Sequence, residues 1–210
     1  MFTLLVARVA AQQPDLRPYV YHLDLRDEGH GGFGEGVFLS QDGEFLTALH
    51  LFEQSPHASS AFIQLYDGTS YVNHPVETVT SFSRALDIAT VKIQLGGASV
   101  KIPPIGATVQ VGETVYGFRP GIFELICTEG QVSAVSANRI TIKGEHFLLQ
   151  GSSGSPIFNR SGQVVAIALE MHPDHLYSGV PISKALSVPK LKSPIPLQDF
   201  LTTMPAPRPN

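Results

Sequence analysis

The sequence predicts an all-β protein of the sandwich or barrel class. Between residues 33 and 183, short alternating or apolar runs are separated by Gly, Pro, Asn and Asp, and helical periodicity is scarce. The 19 glycines and 16 prolines suit a chain with many turns, and the hydrophobic content of 43% is enough for a packed core. A length of 210 residues fits one unit built from two small barrels, or one larger domain.

We expect the chain to begin with a short amphipathic helix over residues 2–12 that ends near Pro14. A signal peptide is the alternative for this apolar start, but the segment lacks a basic beginning and Arg8 interrupts it. No apolar run in the sequence approaches the roughly 18 residues that a membrane-spanning helix needs. We therefore predict no membrane association.

The first half of the predicted β region contains a hairpin and a later alternating strand. The strands at 34–40 and 45–50 flank a Gln-Asp-Gly-Glu turn, and the return strand ends on His50. Residues 87–93 alternate as a half-buried strand does, and Asp87 opens them. Each of these segments therefore places one polar side chain at a strand end.

The second half contains a loop, residues 151–156, that reads Gly-Ser-Ser-Gly-Ser-Pro. Glycines bracket the central Ser153, so the loop can expose one hydroxyl while its backbone N–H groups turn toward the same point. Attack on a carbonyl needs such a nucleophile together with donors for the oxyanion. A flexible linker is the alternative. The apolar residues 147–149 and the strand-like 163–169 flank the loop, which favours a place inside a folded domain.

Acyl transfer near neutral pH needs a base, and histidine is the residue that usually serves. His50 is the preferred candidate because it ends an apolar return strand. The alternative for it is a half-buried histidine that is hydrogen-bonded to the backbone. The eight histidines of the chain are His22, His30, His50, His57, His74, His146, His172 and His175.

A buried carboxylate should orient this base, and Asp87 is the candidate. Because a charged side chain is rarely buried without a partner, an aspartate that enters an apolar strand beside Leu86 and Ile88 needs one. The alternative is a turn aspartate that ends the preceding loop. His50, Asp87 and Ser153 follow the chain order of the chymotrypsin-type arrangement.

Taken together, these segments resemble trypsin-like serine peptidases and, within them, most closely the HtrA (DegP-like) protease domain. The resemblance covers roughly residues 30–188, and the motifs occur in the order of the family. The matching segments are 34–39, 47–50, 87–93, 111–117, 129–136, 151–156, 162–165 and 178–182.

The resemblance implies a fold of two six-stranded antiparallel β-barrels with the active site in the cleft between them. We expect residues 1–105 to hold the N-terminal segment and the first barrel, and residues 106–188 to form the second barrel. From its proline content, we expect residues 189–210 to be an extended tail that packs on the body or is partly disordered. No PDZ-like module fits after residue 188.

The resemblance also implies a role for each candidate residue. His50 would be the general base, Asp87 its orienter and Ser153 the nucleophile. The backbone N–H groups of Gly151 and Ser153 would form the oxyanion hole. A serine endopeptidase of this kind works through an acyl-enzyme intermediate and needs no cofactor or metal.

Two residues of the loop depart from the family pattern. Ser152 stands where the family usually has Asn or Asp, so it cannot make the charged contact that completes activation in cleaved zymogens. Control by N-terminal trimming is therefore not expected. Ser155 adds a side chain where glycine is usual, at a place where a constrained backbone could be strained.

The resemblance to trypsin-like peptidases further implies that the residues before the loop and those on the facing strand line the pocket for the side chain before the scissile bond. Phe147 would form an apolar floor, so we expect an uncharged, small or medium apolar residue there. Two alternatives stay open: a protonated His146 could favour glutamate, and a one-residue slip would exchange Phe147 for Leu148. The predicted substrate-binding residues are Phe147, Leu148, Gln150, Ala168, Leu169 and Gly179.

Composition bears on partners and compartment. The net charge of −4 is modest and the sequence has no basic run, so nucleic-acid binding is not expected. Cys127 is the single cysteine, which leaves no intrachain disulfide and favours a reducing, cytoplasmic location. We expect Cys127 to be a buried strand residue, and the histidines of 172–175 to lie at a solvated hairpin tip without a metal.

A second functional hypothesis is a catalytically inactive pseudoprotease whose cleft binds peptides or a partner protein. Ser152 and Ser155 keep it open, and a structural β-domain with accidental motif matches is a third reading. The histidine, aspartate and serine of a catalytic triad are all present, and a protein that only binds peptides does not require them. The sequence therefore favours a peptidase acting on peptide or protein substrates, whose activity a partner protein or a homo-oligomer could control.

Overall fold

Two closed β-barrels, each made of six antiparallel strands, form the body of the protein and confirm the predicted fold class. The computed structural model describes residues 15–26, 31–55, 57–121 and 124–204. The helix predicted at residues 2–12 and the end of the tail, 205–210, lie outside the described residues.

The first barrel contains β1 (Tyr21–Arg26), β2 (Gly32–Phe38), β3 (Glu44–Ala48), β4 (Ser60–Tyr66), β5 (Tyr71–Ser83) and β6 (Ile88–Ile93). A short 3-10 turn at Arg17–Tyr19 precedes it. The strand order is β5-β4-β1-β2-β3-β6, and pairing between β5 and β6 closes the barrel. In β1, Leu23 and Leu25 are buried while His22 and Arg26 are exposed, as expected for a strand with one face on a core.

The second barrel contains β7 (Thr114–Pro120), β8 (Leu125–Val135), β9 (Ile140–Lys143), β10 (Pro156–Phe158), β11 (Val164–His172) and β12 (Leu176–Pro181). The strand order is β10-β11-β12-β9-β8-β7, and the pairing of Phe158 with Tyr116 closes the barrel.

A continuous hydrophobic core joins the two barrels. The side chains of Phe118 and Phe158, from the second barrel, belong to the same buried cluster as the core of the first barrel, and their ring centroids lie 6.0 Å apart. β11 is buried on both faces because Ile167 joins this shared core while Ala166 and Ala168 face the separate core of the second barrel. This explains the unbroken apolar run in the sequence of β11. Packed side chains therefore fix the position of one barrel against the other, and with it the shape of the cleft between them.

Three short helices complete the described structure: α1 (His50–Glu53), α2 (Ile182–Ala185) and α3 (Leu197–Thr203). No helix in the described ranges is long and apolar enough to cross a membrane. Of the three, α1 matters most for the site because it begins at the candidate base.

The C-terminal tail returns to the first barrel and differs from the extended arm that the sequence predicted. A two-residue strand, β13 (Ile195–Pro196), pairs with β5, and α3 follows directly. Leu197, Phe200 and Leu201 are buried in α3. Their i, i+3, i+4 spacing explains the helix, because it places three apolar side chains on one face against the barrel.

Cys127 lies in a strand, as predicted, but its side chain is exposed and the prediction of a buried residue is wrong. β9 pairs only with the C-terminal part of β8, from Gln131 to Val135. The segment around Cys127 pairs with β7 alone among the described strands, opposite Phe118. This half of β8 forms a sheet edge, so its side chains gain less cover than those of the paired half.

Candidate active site

His50 and Asp87 meet at the ends of two paired strands in the first barrel. β3 and β6 are antiparallel neighbours, and Ala48 at the end of β3 pairs with Ile88 at the start of β6. His50 lies two residues beyond β3, at the first position of α1, and Asp87 immediately precedes β6. The strand predicted to end on His50 is therefore two residues shorter, but it delivers the imidazole to the expected place.

The contacts between these two residues fix both the ring and its backbone. His50 Nδ1 lies 2.6 Å from Asp87 Oδ2, and the backbone N–H of His50 donates to Asp87 Oδ1 at 2.8 Å. The backbone N–H of Leu49 donates to the carbonyl of Asp87 at 3.1 Å. Both side chains are largely buried, with exposed fractions of 18% for His50 and 16% for Asp87. A carboxylate bound in this way holds the proton on Nδ1 and leaves Nε2 as the acceptor.

Ser153 lies in the loop that precedes β10, and the loop is tied to the first barrel. The backbone N–H of Glu35, on β2, donates to the carbonyl of Ser153 at 2.8 Å. The Ser153 hydroxyl donates to the carbonyl of Leu169 at 3.1 Å, and no hydrogen bond joins it to His50 among the described residues. The structure thus brings His50 and Asp87 together and leaves the serine hydroxyl bound to β11. Catalytic hydrogen bonds often form only once substrate is present.

The loop uses its other amides internally and leaves those of Gly151 and Ser153 available. Ser152 N–H donates to the carbonyl of Leu149, Gly154 N–H to that of Ala168, and Ser155 N–H to that of Ser152. Neither Gly151 N–H nor Ser153 N–H donates to another described residue. These are the two donors that the sequence assigned to the oxyanion hole.

Ser152, where the family usually has Asn or Asp, has a structural part in this turn. Its side chain is buried, and its hydroxyl accepts a hydrogen bond from the backbone N–H of Leu149 at 3.3 Å. The turn before the nucleophile is therefore closed by a neutral hydroxyl.

A pocket of about 300 Å³ opens on one side of Ser153. Its lining is mainly apolar, and Glu170 brings an acidic side chain that is 61% exposed. Four of the six predicted substrate-binding residues lie in it. The pocket is lined by Leu148, Leu149, Gln150, Ser152, Ser153, Ala168, Leu169, Glu170 and Met171.

Phe147 and Gly179 lie elsewhere. The Phe147 side chain is fully buried in the core of the second barrel, where its ring centroid is 5.6 Å from that of Tyr177. A Cβ on Gly117 or Gly130 would come within 2.9 Å and 2.8 Å of this ring, so glycines on two strands leave the space that it fills. A Cβ on Gly179 would meet the carbonyl oxygen of Ile167 at 2.8 Å. Leu148 therefore takes the position in the pocket that Phe147 was expected to hold.

A second pocket, of about 430 Å³, is also lined by Ser153. Phe33 on β2 and Leu51 and Gln54 from the helical turn after His50 are among its lining residues. The Phe33 ring also covers Gly151, because a Cβ there would lie 2.3 Å from Phe33 Cε2. The sequence analysis missed this pocket, although the closeness of Leu51 and Gln54 to His50 in the chain was a usable signal.

Glu35 is a second residue that the sequence analysis missed. Its side chain is only 1% exposed, and burial raises the pKa of its carboxyl to about 8. It stands between Gly34 and Gly36 in an otherwise apolar strand, and this isolated acidic position was the available signal.

Metal-binding residues do not cluster within the described ranges, where no group of three or more His, Cys, Asp or Glu side chains could hold an ion. The rings of His146 and His175 approach with centroids 5.8 Å apart, and His172 Nε2 lies 3.7 Å from Glu170 Oε2. These side chains lie around the β11–β12 hairpin.

Comparison with known proteins finds relatives of one type. HhoA of Synechocystis sp. (strain PCC 6803) is 26% identical over 178 residues, which cover 78% of this chain and 43% of HhoA. The mitochondrial serine protease HTRA2 of Drosophila pseudoobscura pseudoobscura is 22% identical over 169 residues, covering 70% of this chain and 38% of the relative. The chain thus spans about two fifths of the length of these relatives.

Two solved structures share the fold. Deg5 superimposes with a TM-score of 0.68 at 16% identity, covering 81% of this chain and 86% of Deg5. The serine endoprotease from Yersinia pestis gives a TM-score of 0.68 at 21% identity, covering 81% of this chain and 61% of that one. Residues 34–167, well over half of the chain, match the trypsin-like peptidase domain. With this match, the two-barrel fold and HtrA-type relatives, the chain belongs to the family of trypsin-like peptidase domains.

Proposed function

We propose that this chain is a serine endopeptidase that hydrolyses peptide bonds through His50, Asp87 and Ser153. The observation that carries the proposal is the double anchor of His50 on Asp87, through Nδ1 and through the backbone N–H. A histidine held this way keeps Nε2 ready to accept a proton. A structural histidine would not need both oxygens of a largely buried carboxylate.

Catalysis begins with a rotation of the Ser153 side chain away from the Leu169 carbonyl. The hydroxyl passes its proton to His50 Nε2 as Oγ forms a bond to the peptide carbonyl carbon. The amides of Gly151 and Ser153 stabilise the oxyanion, and Asp87 stabilises the imidazolium. When the C–N bond breaks, His50 returns the proton to the leaving amine and an acyl-enzyme ester remains.

Water completes the cycle by the same steps. His50 takes a proton from the water as its oxygen attacks the ester carbonyl, and then returns it to Ser153 Oγ when the ester bond breaks. The products are a carboxylic acid, an amine and the regenerated serine. Each step uses side chains and amides of this chain.

We propose an uncharged apolar residue before the scissile bond. The pocket beside Ser153 supports this choice, because Leu148, Ala168 and Leu169 present apolar walls. Burying a charged side chain against such walls without a partner is costly. We assign the pocket lined by Phe33 and Leu51, which also reaches Ser153, to the residues after the scissile bond.

A fluorophosphonate probe tests the proposal because it forms a covalent bond with an activated serine. Wild-type protein should be labelled, and Ser153→Ala should not. Ser161→Ala is the matched control, since Ser161 is exposed in the turn between β10 and β11 and should leave labelling unchanged. Equal labelling of the wild type and Ser153→Ala would contradict the assignment of the nucleophile.

The second candidate function is a pseudoprotease that binds peptides or a partner protein without cutting. The observation that favours it is the hydrogen bond from the Ser153 hydroxyl to the Leu169 carbonyl instead of to His50. If folded wild-type protein binds apolar peptides but stays unlabelled by the probe in their presence, the binding function is supported.

We also propose that the protein works in the cytoplasm and that a partner protein or a homo-oligomer controls its activity. The single cysteine supports a reducing compartment. The Ser153 hydroxyl is hydrogen-bonded to the Leu169 carbonyl and not to His50. An activator would have to break this hydrogen bond and turn the hydroxyl toward His50. Cell fractionation tests the location. Light scattering tests whether the protein forms an oligomer. Fluorophosphonate labelling rates measured at several protein concentrations test whether that oligomer controls activity.

A further inference from the structure

Glu35 on β2 and Ser155 in the loop that carries Ser153 are both buried polar residues. Glu35 is 1% exposed and Ser155 is 0% exposed, and the two residues come from different barrels. Neither carboxyl oxygen of Glu35 has a hydrogen-bond partner among the described residues, and Ser155 Oγ has none there either. Buried polar groups without partners are costly, and the Ser155 hydroxyl is close enough to the Glu35 carboxyl to oppose the rise in its pKa.

The backbone of Glu35 contacts both catalytic segments. Its N–H donates to the carbonyl of Ser153 at 2.8 Å, and its carbonyl accepts a hydrogen bond from Thr47 Oγ1 at 2.6 Å. Thr47 lies three residues before His50 in the chain. Glu35 therefore connects the loop that carries Ser153 with the strand that leads to His50.

The loop packs against this residue with no spare room. A Cβ on Gly154 would lie 2.0 Å from the Glu35 carbonyl oxygen and 2.4 Å from Thr47 Oγ1. Gly154 also has φ +88°, which favours glycine. A shift of the Glu35 backbone would therefore move the backbone of the loop.

The elements packed against Glu35 bring no cation that could neutralise a carboxylate there. His22 lies opposite Glu35 in the β1–β2 register; its side chain keeps contact with solvent, but partial desolvation lowers its pKa and favours the neutral form. The other titratable side chains on these elements already have partners within the described structure. These pairs are Arg26 with Asp24, His50 with Asp87, Glu53 with Arg84, and Glu44 with Lys190.

We propose that Glu35 is a positioning residue for the nucleophile loop, acting as a neutral carboxyl that pairs with the Ser155 hydroxyl behind Ser153. The inference rests on the proposed function, since the alignment of Ser153 matters only if it is the nucleophile. A neutral carboxyl offers one O–H donor and an acceptor, which a hydroxyl can complement. The carboxylate would draw in water and shift the loop, because burying a charge without a partner costs far more than moving a loop.

The charge state of Glu35 changes within a range where a peptidase can be assayed. Burial raises the pKa of its carboxyl to about 8, and the Ser155 hydroxyl opposes this rise. Neutral Glu35 therefore predominates below about pH 8. Above it, the aligned form of the loop should be lost as the proton leaves.

The test is the rate of fluorophosphonate labelling from pH 6 to 10 for the wild type, Glu35→Gln, Glu35→Ala and Glu77→Gln. The wild-type rate should fall about tenfold per pH unit above its midpoint near pH 8, as for loss of one essential proton. Glu35→Gln keeps the shape without the ionisation, so it should lack this decline and recover most of the rate that Glu35→Ala loses. Glu77→Gln, at an exposed glutamate in the same barrel, should follow the wild type.

A ¹³C-carboxyl NMR titration of the wild-type protein gives a readout that needs no activity. The Glu35 resonance, identified by its absence in Glu35→Gln, should titrate with a midpoint above pH 7. A midpoint near that of an ordinary glutamate overturns the inference, and so does an alkaline decline in Glu35→Gln that matches the wild type. Absence of labelling in folded wild-type protein at every pH would overturn the proposed function itself, and the positioning role with it.

Discussion

Asp87 holds a backbone conformation that few residues other than glycine adopt. Its φ is +60°, and such a residue outside glycine typically costs on the order of 1–3 kcal/mol when the surroundings impose it. Aspartate is among the better tolerated residues in this region because its short side chain bonds locally. Here, both carboxylate oxygens bind His50. The strained turn thus directs the carboxylate at the His50 imidazole.

Asp87→Asn should keep this turn and lose the charge. Asparagine tolerates the same φ, but its amide cannot hold the imidazole as a carboxylate does. We expect the rate of fluorophosphonate labelling to fall roughly 1,000- to 10,000-fold while the unfolding midpoint changes little. Asp174→Asn is the control, because Asp174 has φ +64° and is exposed in the β11–β12 hairpin. Equal rates for both variants would contradict the role of Asp87.

Gly154→Ala should destabilise the fold through a backbone clash that Gly68→Ala lacks. Both glycines have positive φ, +88° and +104°, but open space surrounds Gly68 while the Glu35 carbonyl blocks a Cβ on Gly154. The conformational strain alone should cost about 1 kcal/mol in Gly68→Ala. Gly154→Ala should cost about 2 kcal/mol more, because overpacking adds to that strain. Urea unfolding of the two variants measures the difference, and equal losses would contradict the clash.

At the scale of elements, the C-terminal helix supports the helical turn that begins at His50. The ring of Phe200 in α3 packs edge-on against Phe52 in α1, with centroids 6.1 Å apart, and against Phe82 in β5 at 5.2 Å. β13 adds two residues of sheet pairing to β5 immediately before α3. The tail thus packs on the segment that positions the base.

Phe200→Ala should remove this support. Deleting a buried aromatic ring typically costs about 3–5 kcal/mol, and Phe200 is 1% exposed. We expect that loss in the free energy of unfolding by urea, together with faster amide exchange in α1. Tyr71→Ala, which removes a ring that is 71% exposed, should cost less than about 0.5 kcal/mol. A loss in Phe200→Ala as small as in the control would show that α3 does not support α1.

At the scale of the whole molecule, the active site depends on how the barrels pack together. The first barrel supplies His50 and Asp87, and the second supplies Ser153. A shared hydrophobic core and the hydrogen bond from Glu35 to Ser153 hold the two sets of groups in place. Whatever weakens this packing should therefore disturb both the stability of the fold and the geometry of the candidate active site.

Global stability should fall as pH rises through the range in which Glu35 keeps its proton only in the folded state. The carboxyl has an ordinary pKa of 4.5 and a folded pKa of about 8. Between these values the folded protein binds the extra proton, so the free energy of unfolding decreases with pH and levels off above about 8. At about 1.4 kcal/mol per pKa unit, the loss is roughly 4–5 kcal/mol.

Urea unfolding of the wild type and Glu35→Gln at pH 5, 6.5 and 8 measures this dependence. The stability of the wild type relative to Glu35→Gln should decrease steadily over the series, because glutamine cannot ionise. Glu77→Gln should show a constant difference from the wild type. Parallel pH curves for the wild type and Glu35→Gln would mean that Glu35 has an ordinary pKa in the folded protein.

Local patterns in the sequence were enough to predict the all-β class, the strands that end near His50 and begin after Asp87, and the glycine-rich turn that carries Ser153. These features depend on a period of two along a strand and on glycine-rich turns, which neighbouring residues in the chain determine. The tail shows the limit of prediction from local patterns. Its composition suggested an extended arm, but three apolar residues of the tail form the buried face of a helix.

Tertiary structure alone decided the contacts between residues far apart in the chain. Phe147 turns into the core because Gly117 and Gly130, on two other strands, leave room for its ring, and Leu148 takes its place in the pocket. Glu35 meets Ser155 across 120 positions only because the barrels pack together. A local pattern in the sequence reflects the backbone preferences of a few neighbouring residues. Close packing, which selects one rotamer and one partner for each buried side chain, exists only once the barrels have assembled.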